Sequence, residues 1–146
     1  MDYHIRTCTY SDAEALCLLN NEEMGYSFSL DDTAKALEEL LRDNSQRIFV
    51  AVSEDAVIGY IHAADYRLLY ASPSKNILGI AVSSRFRNKG VGRALLAAVE
   101  TWAKESGCVS VRLTSVVHRE NAHAFYKKCG YEFIKQQLNF KKILQS

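Results

Sequence analysis

The stretch that decides the fold is residues 80–96, IAVSSRFRNKGVGRALL. Its first three residues end an apolar run that is typical of a strand. A polar and strongly basic turn follows, and Gly90 and Gly92 then stand where a helix begins. The first N–H groups of a helix are unpaired and its dipole favours negative charge. A strand, a glycine-bearing basic turn and a helix start therefore predict an anion site.

The charge of this turn favours a phosphate, and in particular a pyrophosphate, as the anion. Gly90 and Gly92 would let it approach the backbone without a Cβ in the way. A Rossmann fingerprint is excluded because its third glycine position is Leu95, and a P-loop is excluded because Arg93 follows Gly92. What remains is Arg-x-x-Gly-x-Gly over residues 87–92. On this pattern alone, an ordinary basic helix start capped by glycine is an equal alternative.

Composition narrows the function classes. A chain of 146 residues with 48% hydrophobic and 24% charged residues predicts one soluble, globular domain. A net charge of +1 argues against a general nucleic-acid binder. No signal peptide and no apolar run of the ~18 residues of a membrane span are found, which predicts a cytoplasmic protein without a membrane partner. The four cysteines form no Cys-x-x-Cys pair, so neither a metal site nor a disulfide framework is predicted.

Periodicity and turn residues predict the element order β-αα-βββ-α-β-α-ββ, a mixed α/β domain over residues 1–146. The first helix is predicted to open on a capping box formed by Ser11 and Glu14. Residues 65–76 are predicted to form a long hairpin tip or loop. The predicted strands are residues 3–8, 48–52, 57–62, 77–83, 109–113, 131–135 and 138–142.

A second pattern follows the first at the distance of one helix and one strand. Arg119-x-x-Ala122-His123-x-Phe125-Tyr126-x-x-x-Gly130-Tyr131 resembles the late segment of the GNAT acetyltransferase superfamily, Asn-x-x-Ala-x-x-Phe/Leu-Tyr-x-x-x-Gly-Phe/Tyr. Residues 87–92 resemble its acyl-coenzyme A loop, Arg/Gln-x-x-Gly-x-Gly/Ala. The two patterns cover about residues 77–133, and residues 1–45 agree only in element order. The resemblance implies a GNAT fold with a splayed central strand pair, and acetyl-coenzyme A as cofactor.

The resemblance also implies an activity, an acetyl transfer to a primary amine of a small molecule or peptide by direct attack through a tetrahedral intermediate. The strand backbone at Ile80, Ala81 and Val82 would hold the pantetheine arm and the thioester. Tyr126 would be the general acid, since a phenol of pKa ~10 is protonated at neutral pH; a packing role is its alternative. The other implied cofactor contacts are Arg87, Asn88, Lys89, Gly90, Val91, Gly92 and Arg93, with Arg119 and Asn121 held more loosely.

One departure from the superfamily pattern leaves the base open. Gly79 stands where the superfamily often has a carboxylate that acts as a base through water. Glu22 and Glu23 lie near the break between the first two predicted helices, where the superfamily builds its acceptor site, and we predict that one of them contacts the amine. The other substitutes for the base are His62, Asp65 and His118. The missing carboxylate weakly favours the alternative function, a non-catalytic acyl-coenzyme A binding or sensing module, and a homodimer stays open.

Overall fold

A computed structural model describes residues 2–145, which group into two units, one up to Thr114 and one from Ser115. The mixed α/β fold predicted from the sequence is confirmed. No helix in this described range is long and apolar enough to cross a membrane. The first unit contains strands β1 (His4–Thr7), β2 (Gln46–Ser53), β3 (Ala56–Leu68), β4 (Ala71–Val82) and β5 (Ser110–Leu113), and helices α1 (Ala13–Glu23), α2 (Leu30–Leu41) and α3 (Val91–Glu105). The second unit contains α4 (Glu120–Lys128).

The five strands form one sheet in the order β1-β2-β3-β4-β5. Neighbouring strands are antiparallel up to β4, and β4 and β5 are parallel. Two parallel neighbours need a crossover connection, and α3 supplies it. The basic loop of the sequence therefore lies at the end of β4 where the crossover begins.

The core lies on both sides of β2, whose residues alternate between the two faces. Val50 and Val52 pack in a buried cluster with Leu16 of α1 and Leu37 of α2. Ala51 lies between those two valines and is also fully buried, consistent with the contacts that α3 makes with β2, β3 and β4. The buried residues of α3 recur at helical spacing and are Val91, Leu95, Leu96, Val99, Trp102 and Ala103.

Strand β4 is splayed from β5. It pairs with β3 from Ala71 to Val82, but with β5 only from Ser74 to Ile77. Within the described residues, no strand pairs with this edge of β4 over residues 78–82. The register with β3 also shifts here, because His62 pairs with Gly79 while the next residue of β3 pairs with Ile77. Such a bulge locally bends a strand and is common beside active sites.

The prediction of a loop over residues 65–76 is wrong. Both strands continue through this region, and only residues 69–70 separate β3 from β4. Asp65 lies opposite Lys75 in the ladder, and its carboxylate accepts a 2.5 Å hydrogen bond from the lysine amine. That amine is buried and lies 3.8 Å from the centre of the Trp102 ring. The polar residues that suggested a loop are thus satisfied across the strand pair and against α3.

The two closing strands predicted over residues 131–135 and 138–142 are not formed. Alternating apolar residues indicate that a segment has an apolar face, but a strand also needs a neighbour that completes its backbone hydrogen bonds. No such neighbour pairs with this segment in the structure. The large apolar side chains of this segment that are exposed are Phe133, Ile134, Leu138, Phe140, Ile143 and Leu144.

The start of α1 differs from the predicted capping box. The Asp12 carboxylate, not that of Glu14, closes the turn, because it accepts the Thr9 N–H at 2.9 Å. It also accepts two hydrogen bonds from the Arg6 guanidinium, at 2.8 and 2.9 Å. These bonds with Arg6 hold the pKa of Asp12 below its usual value, although burial opposes the shift. Thr9 and Asp12 have the Thr-x-x-Asp spacing of a capping box, two residues before the predicted one, whereas Arg6 comes from the preceding strand.

Candidate active site

The loop between β4 and α3 has the backbone geometry of an anion site. A short 3-10 turn, Ser84–Phe86, follows β4, and Gly90 caps the N-terminus of α3. Gly90 and Asn88 both adopt left-handed backbone angles, with φ of 83° and 62°. Glycine adopts this region without penalty, and asparagine is one of the few other residues that visit it. The carbonyl of Gly90 accepts the Ala94 N–H and the Tyr3 hydroxyl, and so begins the hydrogen bonding of α3.

The carboxylate of Glu23 is bound to this loop. Glu23 is the last residue of α1, and its side chain is only 10% exposed. One carboxylate oxygen accepts a 2.7 Å hydrogen bond from Arg87, and the other accepts the Ser84 N–H at 3.0 Å. A carboxylate therefore satisfies one cation and one backbone N–H at the place where the sequence predicts an anion. The contact joins the end of α1 to the basic loop.

The two candidate carboxylates are placed differently. Glu22 is exposed and makes no hydrogen bond or ion pair within residues 2–145, whereas Glu23 faces Arg87. Arg87 still leaves more than half of its side chain exposed, at 56%. The guanidinium of Arg85 lies 5.8 Å from the Phe86 ring centre, against its own neighbour in the chain. Of Arg85 and Arg87, it is Arg87 that is held by a second element.

The remaining substitutes for the base are also placed. His62 lies opposite Gly79 in the ladder, and its Nε2 is 2.6 Å from Oε1 of Gln46. Burial lowers the pKa of His62, which keeps the imidazole neutral at neutral pH. Asp65 is ion-paired with Lys75. His118 belongs to the second unit and is exposed.

The second unit carries the proposed acid. Tyr126 lies on α4, where its ring packs against Phe125 and Tyr131 at centroid distances of 5.4 and 6.3 Å. Burial raises the pKa of Tyr126, nearby Arg119 lowers it, and Cys129 raises it. A raised pKa keeps the phenol protonated at neutral pH, as an acid requires. Arg119 caps the N-terminus of α4, and Asn121 lies exposed in its first turn.

The family follows from a comparison with known families. Residues 13–131 match the model of the Acetyltransferase (GNAT) family. The chain belongs to the GNAT acetyltransferase family. The family match covers β4, the basic loop and α4, and so includes both patterns that carried the resemblance.

Individual relatives agree with this assignment. An aminoglycoside N(6')-acetyltransferase type 1 of Stenotrophomonas maltophilia is 32% identical to this chain, over 97% of this chain and 94% of that protein. A protein of the same name from Salmonella typhimurium is 27% identical, over 72% of this chain and 75% of that protein. The solved structure of AAC(6')-Iy with the bisubstrate analog CoA-S-monomethyl-acetylneamine has a TM-score of 0.88 at 22% identity, over 99% of this chain and all of that chain. The last likeness shows a shared fold.

The residues of this GNAT acetyltransferase fit its cofactor, acetyl-coenzyme A. The cofactor carries a pyrophosphate and an arm of amides, so it needs anion donors next to an open hydrogen-bonding edge. The left-handed cap at Gly90 opens α3, whose first-turn N–H groups have no acceptor within the helix, and Gly92 adds no side chain there. The edge of β4 over residues 78–82 leads to this loop without a strand partner in the described chain. The fit thus rests on backbone geometry and on the cations of the loop.

Two contacts of this GNAT site were not predicted from the sequence. Glu23 and Arg87 lie 64 positions apart, and Asn20 and Tyr60 lie 40 positions apart. Neither pair belongs to a local motif, so no spacing or periodicity signals it. The one usable signal was the location of Glu22 and Glu23 beside the break between two helices. It indicated the right region of the fold but not the partner.

A substitution at Gly92 tests the phosphate loop. We expect Gly92→Asp to abolish coenzyme A binding, because a Cβ and a negative charge would both meet the phosphates. The fold should persist, since an acidic residue is favourable in the first turn of a helix. Arg87→Ala should weaken binding less, by ~1.5–3 kcal/mol, the range of a charge-assisted hydrogen bond. Titration calorimetry measures both effects, and circular dichroism checks the fold.

The matched control is Arg85→Ala, which removes the same charge from the same loop. Its guanidinium contacts only the neighbouring Phe86 ring among the contacts that the structure shows, so coenzyme A affinity should stay near that of the wild type. Unchanged affinity in a folded Gly92→Asp variant would contradict the assignment of the loop.

Proposed function

We propose that the protein is an acetyl-coenzyme A dependent N-acetyltransferase whose acceptor is a primary amine of a small molecule or peptide. The observation that carries the proposal is the unpaired edge of β4, which ends on the basic loop at the N-terminus of α3. The relatives named as aminoglycoside N(6')-acetyltransferases support a small-molecule amine as the acceptor class. The whole chain is proposed to act as one domain.

Cofactor binding is assigned to the chain as follows. The backbone of Ile80, Ala81 and Val82 donates and accepts hydrogen bonds along the exposed edge of β4. Ala81 is buried while its two neighbours are partly exposed, so the side chains pack and the backbone carries the contact. Arg119 and Asn121, at the start of α4, are proposed as further contacts. The phosphate contacts are proposed for Arg87, Asn88, Lys89, Gly90, Val91, Gly92 and Arg93.

The chemistry needs few groups. Acetyl-coenzyme A supplies the acetyl group as a thioester, whose carbonyl carbon the neutral amine attacks through a tetrahedral intermediate. A carbon–nitrogen bond forms, the carbon–sulfur bond breaks, and one proton lost by nitrogen is balanced by one gained by sulfur. Tyr126 is proposed to give the proton to the leaving thiolate, because its phenol is protonated at neutral pH. Water or His62, neutral and opposite Gly79, can take the proton of the amine.

We also propose a cytoplasmic location. All four cysteines are free thiols in the structure, and Cys8 and Cys17 are buried. Burial raises the pKa of the Cys8 thiol to about 12, which keeps it protonated and unreactive. Free thiols of this kind persist in a reducing compartment.

An amine panel tests the proposed function. We expect at least one primary amine of a panel of aminoglycosides, polyamines, monoamines and peptides to cause release of coenzyme A thiol, followed with a thiol-reactive dye. Gly92→Asp is the matched control and should release none, because it cannot hold the cofactor. If the wild type binds acetyl-coenzyme A and releases no thiol with any amine, the protein is instead an acyl-coenzyme A sensing module.

A substitution at Tyr126 tests the acid. Tyr126→Phe removes one oxygen and little volume, so turnover should fall by ~10²–10⁴-fold, the usual contribution of a positioned general acid. Acetyl-coenzyme A affinity should persist, because the phosphate loop is elsewhere in the chain. Tyr70→Phe removes the same hydroxyl from a side chain that is 84% exposed, and it should keep full turnover. A lower melting temperature with normal turnover per folded molecule would show a packing role instead.

Paired substitutions of Glu22 and Glu23 test the acceptor side. If either carboxylate contacts the amine, its change to Gln should raise the Michaelis constant of the acceptor. Glu22→Gln should leave the Michaelis constant of acetyl-coenzyme A unchanged, since Glu22 is exposed and it is Glu23 that pairs with Arg87. Glu23→Gln should in addition lower the Michaelis constant of acetyl-coenzyme A, by up to about tenfold, because Arg87 loses a competing carboxylate. Wild-type acceptor kinetics in both variants would reject both residues as acceptor contacts.

A further inference from the structure

The hydroxyl of Tyr60 lies between the acceptor-side helix and the cofactor strand. Tyr60 is on β3, and its hydroxyl donates a 2.5 Å hydrogen bond to Oδ1 of Asn20 on α1. A Cβ added at Gly79 of β4 would lie 3.3 Å from the same hydroxyl. The tyrosine thus reaches across the face of β4 at the residue before Ile80. A phenylalanine would fill this volume equally well, so packing alone does not explain the hydroxyl, which must have a polar partner.

An open pocket of about 400 Å³ adjoins this pair and is lined by Asn20, Tyr26, Ser27 and Phe28. Its lining contains no charged side chain. Tyr26 and Phe28 are large aromatic residues that stay 58% and 55% exposed, so both present ring surface to a ligand in the pocket. The pocket is built by the turn that ends α1, where the carbonyl of Asn20 accepts the Tyr26 N–H at 3.2 Å.

The pocket and the Tyr60 hydroxyl form one continuous site. Asn20 belongs to both, because it is one of the lining residues and its side chain accepts the hydrogen bond of Tyr60. Tyr26 is close enough to Tyr60 to affect its titration. Burial raises the pKa of Tyr60, the bond to Asn20 lowers it, and the Tyr26 phenol raises it again. The phenol is therefore neutral at physiological pH, and its oxygen keeps a lone pair for another donor.

We propose that, within the acetyl transfer put forward above, Tyr60 and Asn20 receive the amino group of the acceptor, while Tyr26 and Phe28 hold an uncharged, partly aromatic body beside it. The oxygen atoms of Tyr60 and Asn20 accept N–H bonds from a neutral amine, which is the form that attacks a thioester. Glu22 is exposed and meets the ammonium form at the surface. The acceptor is thus an aromatic or arylalkyl monoamine.

The same features disfavour a polycation. A second or third ammonium group inside the pocket would be desolvated without a carboxylate in the lining to offset it. Glu23, at the end of α1, is engaged by Arg87, and Glu22 lies outside the lining. The strands at the splay add no acid, because β4 and β5 contain Lys75 and Arg112 but neither Asp nor Glu. Recognition of the body must then come from ring contacts and hydrogen bonds.

The test compares two acceptors in three proteins. We expect the wild type to acetylate phenethylamine with at least tenfold higher kcat/KM than neamine, a polycation. Tyr60→Phe should lower kcat/KM for phenethylamine by about 10–100-fold, with unchanged acetyl-coenzyme A affinity. Tyr66→Phe is the matched control, since it removes a hydroxyl from the same strand while its ring still packs under Arg112, and it should behave as the wild type. Preference for neamine, or wild-type kinetics in Tyr60→Phe, would overturn the proposal.

A substitution that changes the acceptor specificity provides a second, independent test. Asn20→Asp keeps an acceptor for the Tyr60 hydroxyl but places a carboxylate in the neutral pocket. The ratio of kcat/KM for neamine to that for phenethylamine should rise by about tenfold or more. A merely structural role of the Tyr60–Asn20 bond predicts a lower melting temperature and no change of this ratio, which would count against the proposal.

A binding measurement separates this proposal from the proposed function. Titration calorimetry with phenethylamine on the protein saturated with coenzyme A needs no turnover. Binding to the wild type that is lost in Tyr60→Phe supports the acceptor site even if no amine is acetylated, and the missing turnover then counts against the enzyme alone. Absence of binding to the wild type, or equal binding to both proteins, overturns the site.

Discussion

The pairing of β4 is the constraint on which the rest of the structure depends. This strand is bonded to β3 along its whole length, but its parallel pairing with β5 stops at Ile77. An unpaired strand edge is a row of donors and acceptors that must be satisfied by something else. Here the edge leads directly to the left-handed cap at Gly90, so backbone groups of the strand and of the helix start form one polar path. The proposed anion site lies where this edge ends.

Two ion pairs, each with one buried partner, join neighbouring elements of the first unit. Arg6 fixes Asp12 at the start of α1, and Asp65 fixes Lys75 between β3, β4 and α3. Asp12 and Lys75 are each almost fully buried. Removing one partner of such a pair leaves a desolvated charge, which is far more costly than losing an exposed pair. These ion pairs therefore contribute less to net stability than to specifying one arrangement of the elements that they join.

Local elements of the structure could be predicted from the sequence, whereas contacts between distant parts of the chain could not. Short-range patterns predict the basic loop, its glycine cap and the order of elements up to α4. Helix starts and strand alternation depend only on residues that are close together in the sequence. Residues 65–76 were misassigned because the polar side chains there find partners across the ladder, as Asp65 does with Lys75. Residues 131–142 have the alternation of strands without a neighbour to pair with. The partners of Glu23 and Tyr60 come from distant parts of the chain, which spacing does not report.

The bond between Glu23 and Arg87 has a thermodynamic consequence. An anion that binds the Arg87 guanidinium competes for it with a carboxylate at the end of α1, three positions after Asn20. Anion binding at the basic loop and the conformation of the end of α1 are therefore thermodynamically coupled, and this coupling is reciprocal. If a ligand orders the end of α1 and so changes the affinity of the basic loop for its anion, that anion changes the affinity of the protein for the ligand by the same factor. The order in which two substrates bind is thus sensitive to a single carboxylate.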